Sequence, residues 1–233
     1  MDKKCLRAMI ITDSLGCPRA ETSVADTWTD KILQKWCDGK IVFYTQCYRG
    51  LSALDVDYDH VHWLTPDIII CQIGVVDCSR RVLTRTELRI LSKIPIINKI
   101  VHRICSKYTY NLTKIRNRHY QSEKQFKEKM QSIIDDNKSE VYFIEIAPAS
   151  NYMKHKLYNF EADIIRYNDI LNNLDYKNGG GVIQAYRDAD NIENLFLSDG
   201  HHLTQYGTEL VYNSVNKIIE DFVSNKGLTN KAI

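Results

Sequence analysis

No stretch of the sequence is apolar for long enough to cross a bilayer. The most apolar run, DIIICQIGVV at 67–76, is about half the length a spanning helix needs, so stable membrane insertion is not expected. The first residues, MDKKCLRAMIITDSLG, lack the small-residue cleavage site of an export signal, and their short apolar run ends in Asp-Ser, the pattern of a first strand. No charge of one sign dominates either. With 31 Lys+Arg against 29 Asp+Glu the net charge is +2, which argues against a globally basic nucleic-acid binder and leaves any basic feature local. Nor is there a CxxC pair. Seven scattered cysteines, in a chain long enough to need no disulfide staples, point to a reducing, cytoplasmic setting. No repeat, linker or low-complexity tract divides the 233 residues, 44% of them hydrophobic, so one domain spanning 1–233 is expected.

Four short runs have strand character: Leu6 to Thr12, Ile41 to Gln46, Asp67 to Ile73 and Val141 to Ala147. Their unbroken apolar character is that of strands covered on both faces. Helical spacing predicts helices over about 24–37, 122–136, 159–174 and 205–224. In the last of these, Leu210, Val211, Val215, Ile218, Ile219 and Phe222 form one stripe. The glycines at 179–181 and the segment GVIQAY add a turn and a shorter fifth strand. This order predicts a three-layer α/β domain with a mainly parallel central sheet.

Such sheets place their chemistry beyond the carboxyl ends of the strands. Asp13-Ser14-Leu15-Gly16 follows the first run, Tyr48-Arg49-Gly50 the second, and Gly74-Val75-Val76-Asp77 the third; Asp199-Gly200-His201-His202 stands before the last helix. Taken singly, each is an ordinary turn or helix cap. Together they supply a serine, glycine amides, an aspartate and histidines, which are the parts of an acyl-transfer site.

This combination resembles the SGNH or GDSL hydrolase family, whose flavodoxin-like sheet gathers four short blocks at one edge. TDSLG matches the nucleophile block around Ser14, with Thr12 where glycine is usual, and SDGHHL matches the terminal Asp-x-x-His block in a register that selects Asp199 and His202. The second block contributes only Gly50. In the third, normally Gly-x-Asn-Asp, Val76 replaces the asparagine between Gly74 and Asp77. GVVDC also looks similar to a subset of these proteins associated with bacterial surface-polysaccharide gene clusters.

The resemblance implies a serine esterase with Ser14 as nucleophile, His202 as base and Asp199 orienting it. The physical chemistry agrees. A serine hydroxyl needs a neighbouring base, neutral imidazole suits that task near pH 7, and an i, i+3 spacing can set a carboxylate beside the ring. His201 should then point elsewhere. Oxyanion donors are expected from the backbone at Ser14, Gly50 and Gly74, with Arg80 or Arg81 substituting for the missing amide. Asp77, Arg80, Arg81 and Arg19 are the expected substrate contacts, the arginines suiting an anionic group on it. No cofactor is required. A metal site from Asp199, His201 and His202 is the rival arrangement, weakened because adjacent histidines seldom aim at one ion.

Between about 80 and 125 a basic, helical insertion is expected, with Ile96, Ile97, Ile100, Val101 and Ile104 at helical spacing and Lys99, Arg103 and Lys107 among them. Packing on the domain, a lid, or a surface for anionic lipid or polysaccharide are its possible uses. The expected function is removal of an acyl group, such as acetyl, from a carbohydrate in surface-polysaccharide metabolism, with no nucleic-acid partner. O-Acyl transfer on the same scaffold and an inactive glycan- or protein-binding domain are the alternatives.

Overall fold

Isoleucine and valine, stiff at χ1 and suited to a pleated surface, dominate the strands that run through the middle of the protein. A computed structural model describes residues 5–227 and places five strands: β1 (Leu6–Thr12), β2 (Ile41–Cys47), β3 (Ile68–Gln72), β4 (Glu140–Ile144) and β5 (Gly180–Ile183). Their order is β2-β1-β3-β4-β5 and every neighbouring pair is parallel, so all carboxyl ends lie along one edge. Ile10, Ile11, Ile68, Ile69 and Ile70 are completely buried, each contributing about 1.5–3 kcal/mol of apolar transfer.

The helices are α1 (Trp28–Lys35), α2 (Tyr58–Leu64), α3 (Val75–Cys78), α4 (Arg85–Ser92), α5 (Pro95–Lys107), α6 (Thr109–Arg116), α7 (Glu123–Asp135), α8 (Asn151–Lys156), α9 (Phe160–Asn172) and α10 (Gln205–Asn225). Strand side chains alternate between two cores. Ala8 and Ile10 join Trp28 and Ile32 of α1 and Val211, Val215 and Ile219 of α10 on one face. Met9 and Ile11 face the other core, with Phe126 and Met130 of α7 and Ile164 and Tyr167 of α9. The result is the expected three-layer α/β architecture.

Details differ from the sequence reading for identifiable reasons. The first helix starts at Trp28, not 24, because the Thr27 side chain accepts from Asp30 N and caps it there. Ser122 and Gln125 form a capping box that sets the start of α7. β4 leaves the ladder at Ile144, short of Ala147, and β5 ends at Ile183. A helix that the sequence did not announce, α2, makes the crossover from β2 to β3. Only Val61 of its seven residues is buried, too little for a visible period.

The segment between β3 and α7 does form helices, α3 to α6. Its apolar positions do not pack as expected: neither α4 nor α5 contains a buried residue, and Ile96, Ile97, Ile100 and Ile104 are all exposed. Among the described residues no helix is long and apolar enough to cross a membrane.

Candidate active site

At the end of β1 the chain must turn sharply, and the local groups hold that turn. Asp13 is fully buried and its Oδ1 accepts from Leu15 N at 2.9 Å. Gly16 admits no side chain, since a Cβ there would lie 2.5 Å from Thr12 Cγ2 and 2.9 Å from Thr29 Cγ2. Ser14, at the crest, faces a cavity of about 520 Å³ at the carboxyl edge of the sheet. Thr12, standing where the family pattern has glycine, belongs to a buried network beneath it. Its hydroxyl lies 3.2 Å from Gln72 Oε1, which also accepts from Trp28 Nε1 at 2.7 Å.

The terminal block closes on the same cavity from the opposite end of the sequence. Gly200 takes φ 77°, a conformation that favours glycine, and its carbonyl accepts from Ser150 Oγ at 2.6 Å. Asp199 Oδ1 accepts the amides of His201 and His202 at 3.1 and 3.0 Å. Thr204 then caps α10 by accepting from Gly207 N. These bonds leave Asp199 Oδ2 at 2.5 Å from His202 Nδ1, while His202 Nε2 sits 3.0 Å from Ser14 Oγ, 188 residues away in sequence. The Ser14 hydroxyl, the His202 imidazole and the Asp199 carboxylate thus form one hydrogen-bonded chain.

Partial burial opposes ionisation of Asp199, but the hydrogen bonds from the His202 ring and the two amides outweigh it and hold the carboxyl well below its ordinary range. Burial pushes His202 down to about 4, against the opposing hydrogen bond from Asp199, so the imidazole is neutral at pH 7 and able to accept a proton. His201 does not point away as expected. It lines the cavity and its ring lies against His202, centroids 3.8 Å apart.

Arg19 also lines the cavity, its Nη1 3.6 Å from Asp199 Oδ2. Donor atoms of Asp199, His201 and His202 all lie within 4.8 Å of one another, the spacing of a metal cluster. Both ring nitrogens of His202 are already engaged, however, and the Arg19 guanidinium places positive charge beside Asp199. That donor set suits a proton relay better than a cation.

The third block is rearranged relative to expectation. Gly74 has φ 124°, and a Cβ there would meet Ile146 Cδ1 at 2.7 Å; Val75 and Val76 line the cavity together with Gly50. Asp77, expected at the substrate, is fully buried and faces inward: its carboxylate accepts from Ala53 N at 3.2 Å and Gln121 Nε2 at 2.5 Å. Burial raises it to about 7. Arg80 reaches the lining but is committed elsewhere, with Nε 2.7 Å and Nη2 3.1 Å from the two oxygens of buried Asp163 and Nη1 bonded to Asn117. Arg81 keeps donor capacity. Its Nη2 donates to Val76 O at 2.6 Å, its guanidinium lies over the Tyr120 ring at 4.6 Å, and its buried Nε has no partner.

Arg49 and Ser79 also line the cavity, as do Tyr120, Met153, Lys156 and Leu157, which escaped the sequence reading. Lys156 ends α8, a helix too short to be noticed; Tyr120 lies at the return of the insertion. A larger cleft of about 760 Å³, bordered by Glu145, Asn168, Tyr186 and Arg187, contains neither serine nor histidine in its lining.

Solved structures with the same overall fold are known. A lipase/acylhydrolase from Enterococcus faecalis superimposes with a TM-score of 0.65 at 13% identity, covering 93% of this chain and 96% of that one. The protein has the SGNH/GDSL hydrolase fold. Within that fold it is also similar to a carbohydrate esterase family 3 protein from Talaromyces cellulolyticus, with TM-score 0.58, 11% identity, and coverage of 94% and 99%. A member of the lipolytic G-D-S-L family from Veillonella parvula gives 0.55, 11% and coverage of 92% and 98%. No protein-family model matches the sequence, and no curated protein matches it.

Proposed function

We propose that this protein is a serine-dependent acyl hydrolase that removes an acyl group, acetyl for preference, from a carbohydrate. The observation that carries the reading is the contact of Ser14 Oγ with His202 Nε2 at 3.0 Å, with Asp199 Oδ2 on the other ring nitrogen at 2.5 Å, inside a cavity at the carboxyl edge of the sheet. In the first step Ser14 Oγ attacks the ester carbonyl while His202 Nε2 takes its proton; Asp199 stabilises the imidazolium and holds its tautomer. The imidazolium then protonates the leaving sugar oxygen, giving an acyl-enzyme. Water, deprotonated by His202, releases the acid and restores the serine.

The oxyanion is met by backbone amides at Ser14 and Gly50 and by the Arg81 guanidinium, which lines the cavity and can donate where valine at 76 cannot. Arg19, Arg49 and Lys156 around the lining give the pocket a positive rim suited to an acidic sugar or a phosphate-linked one. The resemblance to proteins of surface-polysaccharide clusters and the likeness to a carbohydrate esterase both support a glycan substrate.

Incubation with a fluorophosphonate followed by intact-mass and peptide analysis tests the reading. One adduct on Ser14 is expected, formed far more slowly in His202→Ala. Labelling of another serine, or equal rates in both proteins, would sink it and favour a binding module that has lost its chemistry.

A further inference from the structure

Helix α5 has the sequence of a core helix and the environment of a surface one. Ile96, Ile100 and Ile104 follow one another at i, i+4 along a single row and are 76, 55 and 50% exposed, with Ile97 beside them at 47%. Lys99, Arg103 and Lys107 form the adjoining row, each three residues on from one of those isoleucines, and all are exposed. Asn98, Val101 and Cys105, on the opposite side, are half-buried, and α5 neighbours α4 and α6. The apolar row therefore faces outward.

Charge is concentrated here as well. Residues 85–116 contain eight Lys and Arg against the single Glu87, in a chain whose net charge is only +2. Arg85 and Arg116 are paired with Asp55 and Glu87, but among the described residues no carboxylate makes an ion pair with Lys93, Lys99, Arg103 or Lys107. Tyr108 and Tyr110, polar-tipped aromatics, are exposed at the helix end.

We propose that the outer face of α5 docks on an anionic phospholipid bilayer, its isoleucines entering the headgroup–acyl boundary and its lysines and arginine meeting lipid phosphates. An apolar row flanked by cations is what an interfacial helix requires, since burial of the isoleucines and attraction to the headgroups act together. A hydrated polyanion would engage the cations and leave the isoleucines in water. A second copy of the chain, apposed through the same face, would bring the basic rows against each other.

The location gives the docking a consequence. Arg81 N donates to Arg118 O at 2.8 Å, tying together the two ends of the insertion, and Arg81 and Tyr120 line the cavity. Through these residues the docked segment is continuous with the cavity lining, which favours an ester on a lipid-linked carrier as substrate. The docking rests on the surface itself and does not depend on the proposed hydrolysis.

Co-sedimentation of the full chain with vesicles of phosphatidylglycerol, and separately of phosphatidylcholine, provides the test. Binding to phosphatidylglycerol alone, weakening with salt, is expected. The triple change Ile96→Ser, Ile100→Ser, Ile104→Ser should reduce partitioning at least about tenfold, and Lys99→Gln, Arg103→Gln, Lys107→Gln by a similar factor. Both variants should keep the wild-type circular dichroism and small-ester hydrolysis, and Ser14→Ala should bind vesicles as wild type does, which separates failure of docking from failure of the enzyme reading. The proposal is overturned by absence of binding to phosphatidylglycerol vesicles, by triple variants that bind them undiminished, or by isoleucine-dependent dimerisation in ultracentrifugation without vesicle binding. Binding to soluble heparin in the absence of vesicle binding would overturn it equally.

Discussion

On one wall of the cavity Ser14 and His202, with Asp199 behind them, come off the end of β1 and the entry to α10, elements that are anchored in the same core. The facing wall carries Val76, Arg80, Arg81 and Tyr120, from the ends of a segment that leaves the fold for α4, α5 and α6 before returning. On the first wall the polar groups are paired in a chain that ends at the cavity, on Ser14 Oγ. On the second they are paired mostly behind it: Asp77 with Ala53 and Gln121, Arg80 with Asp163 and Asn117. A charged residue next to a cavity is therefore not necessarily available to it. Which groups are free depends on where the buried partners stand.

If that contrast holds, damage to the first wall should remove chemistry without unfolding the protein. His202→Ala is expected to lower kcat/KM for a small acetyl ester by about 10⁴-fold with little change in melting temperature, and His201→Ala by only a few-fold. A larger loss in the His201 variant would reverse the roles of the two rings. Because the base works only when neutral and burial holds His202 near 4, the wild-type kcat/KM should stay level from neutral pH down to about 5 and fall as pH drops through about 4. An acidic limb centred near the ordinary histidine value would contradict the burial argument.

The second wall should respond with stability first. Arg80→Gln leaves Asp163 buried without its bidentate partner, at a cost of about 3–5 kcal/mol, read as a lower urea midpoint. His119 and Arg166 also approach Asp163 and would soften the loss. Arg81→Gln is the exception on this wall: it should lower kcat by about 10²-fold with KM nearly unchanged, and Val76→Asn should be neutral or harmful as long as Arg81 is present. A gain of activity in Val76→Asn together with an unaffected Arg81→Gln would mean that the oxyanion hole is simply incomplete.

The smallest effect expected is at Asp77. Its carboxyl is raised by burial to about 7, above its unfolded value, so the folded state binds the extra proton and stability declines as pH rises from about 4 through 7. Asp77→Asn removes that slope. The difference in melting temperature between variant and wild type should shift in favour of the variant between about pH 5 and about pH 8, while kcat stays within a few-fold. A kcat that collapses in Asp77→Asn would return the residue to the substrate.

The sheet was legible because the central strands β1 and β3 are apolar runs buried on both faces, while the edge strands β2 and β5 are largely exposed or half-buried, and because the residues at the carboxyl edge follow immediately in sequence. The turn chemistry around Ser14 and the i, i+3 relation of Asp199 to His202 are likewise local, so the residues of that hydrogen-bonded chain could be named before their contact was known. Helix α2 was missed since a single buried valine leaves no pattern. The inward turn of Asp77 and the engagement of Arg80 were not readable at all: the partner of Arg80 lies 83 residues away and that of Asp77, Gln121, 44 away, and no spacing within the blocks encodes them. Helices α5 and α10 show the same limit most directly. Both carry apolar residues at helical spacing, yet Val211, Val215 and Ile219 of α10 are fully buried while Ile96, Ile100 and Ile104 of α5 are exposed. Periodicity is a property of one helix and specifies which side chains share a face; whether that face meets a sheet or solvent is set by where the rest of the chain has already placed its own apolar surface.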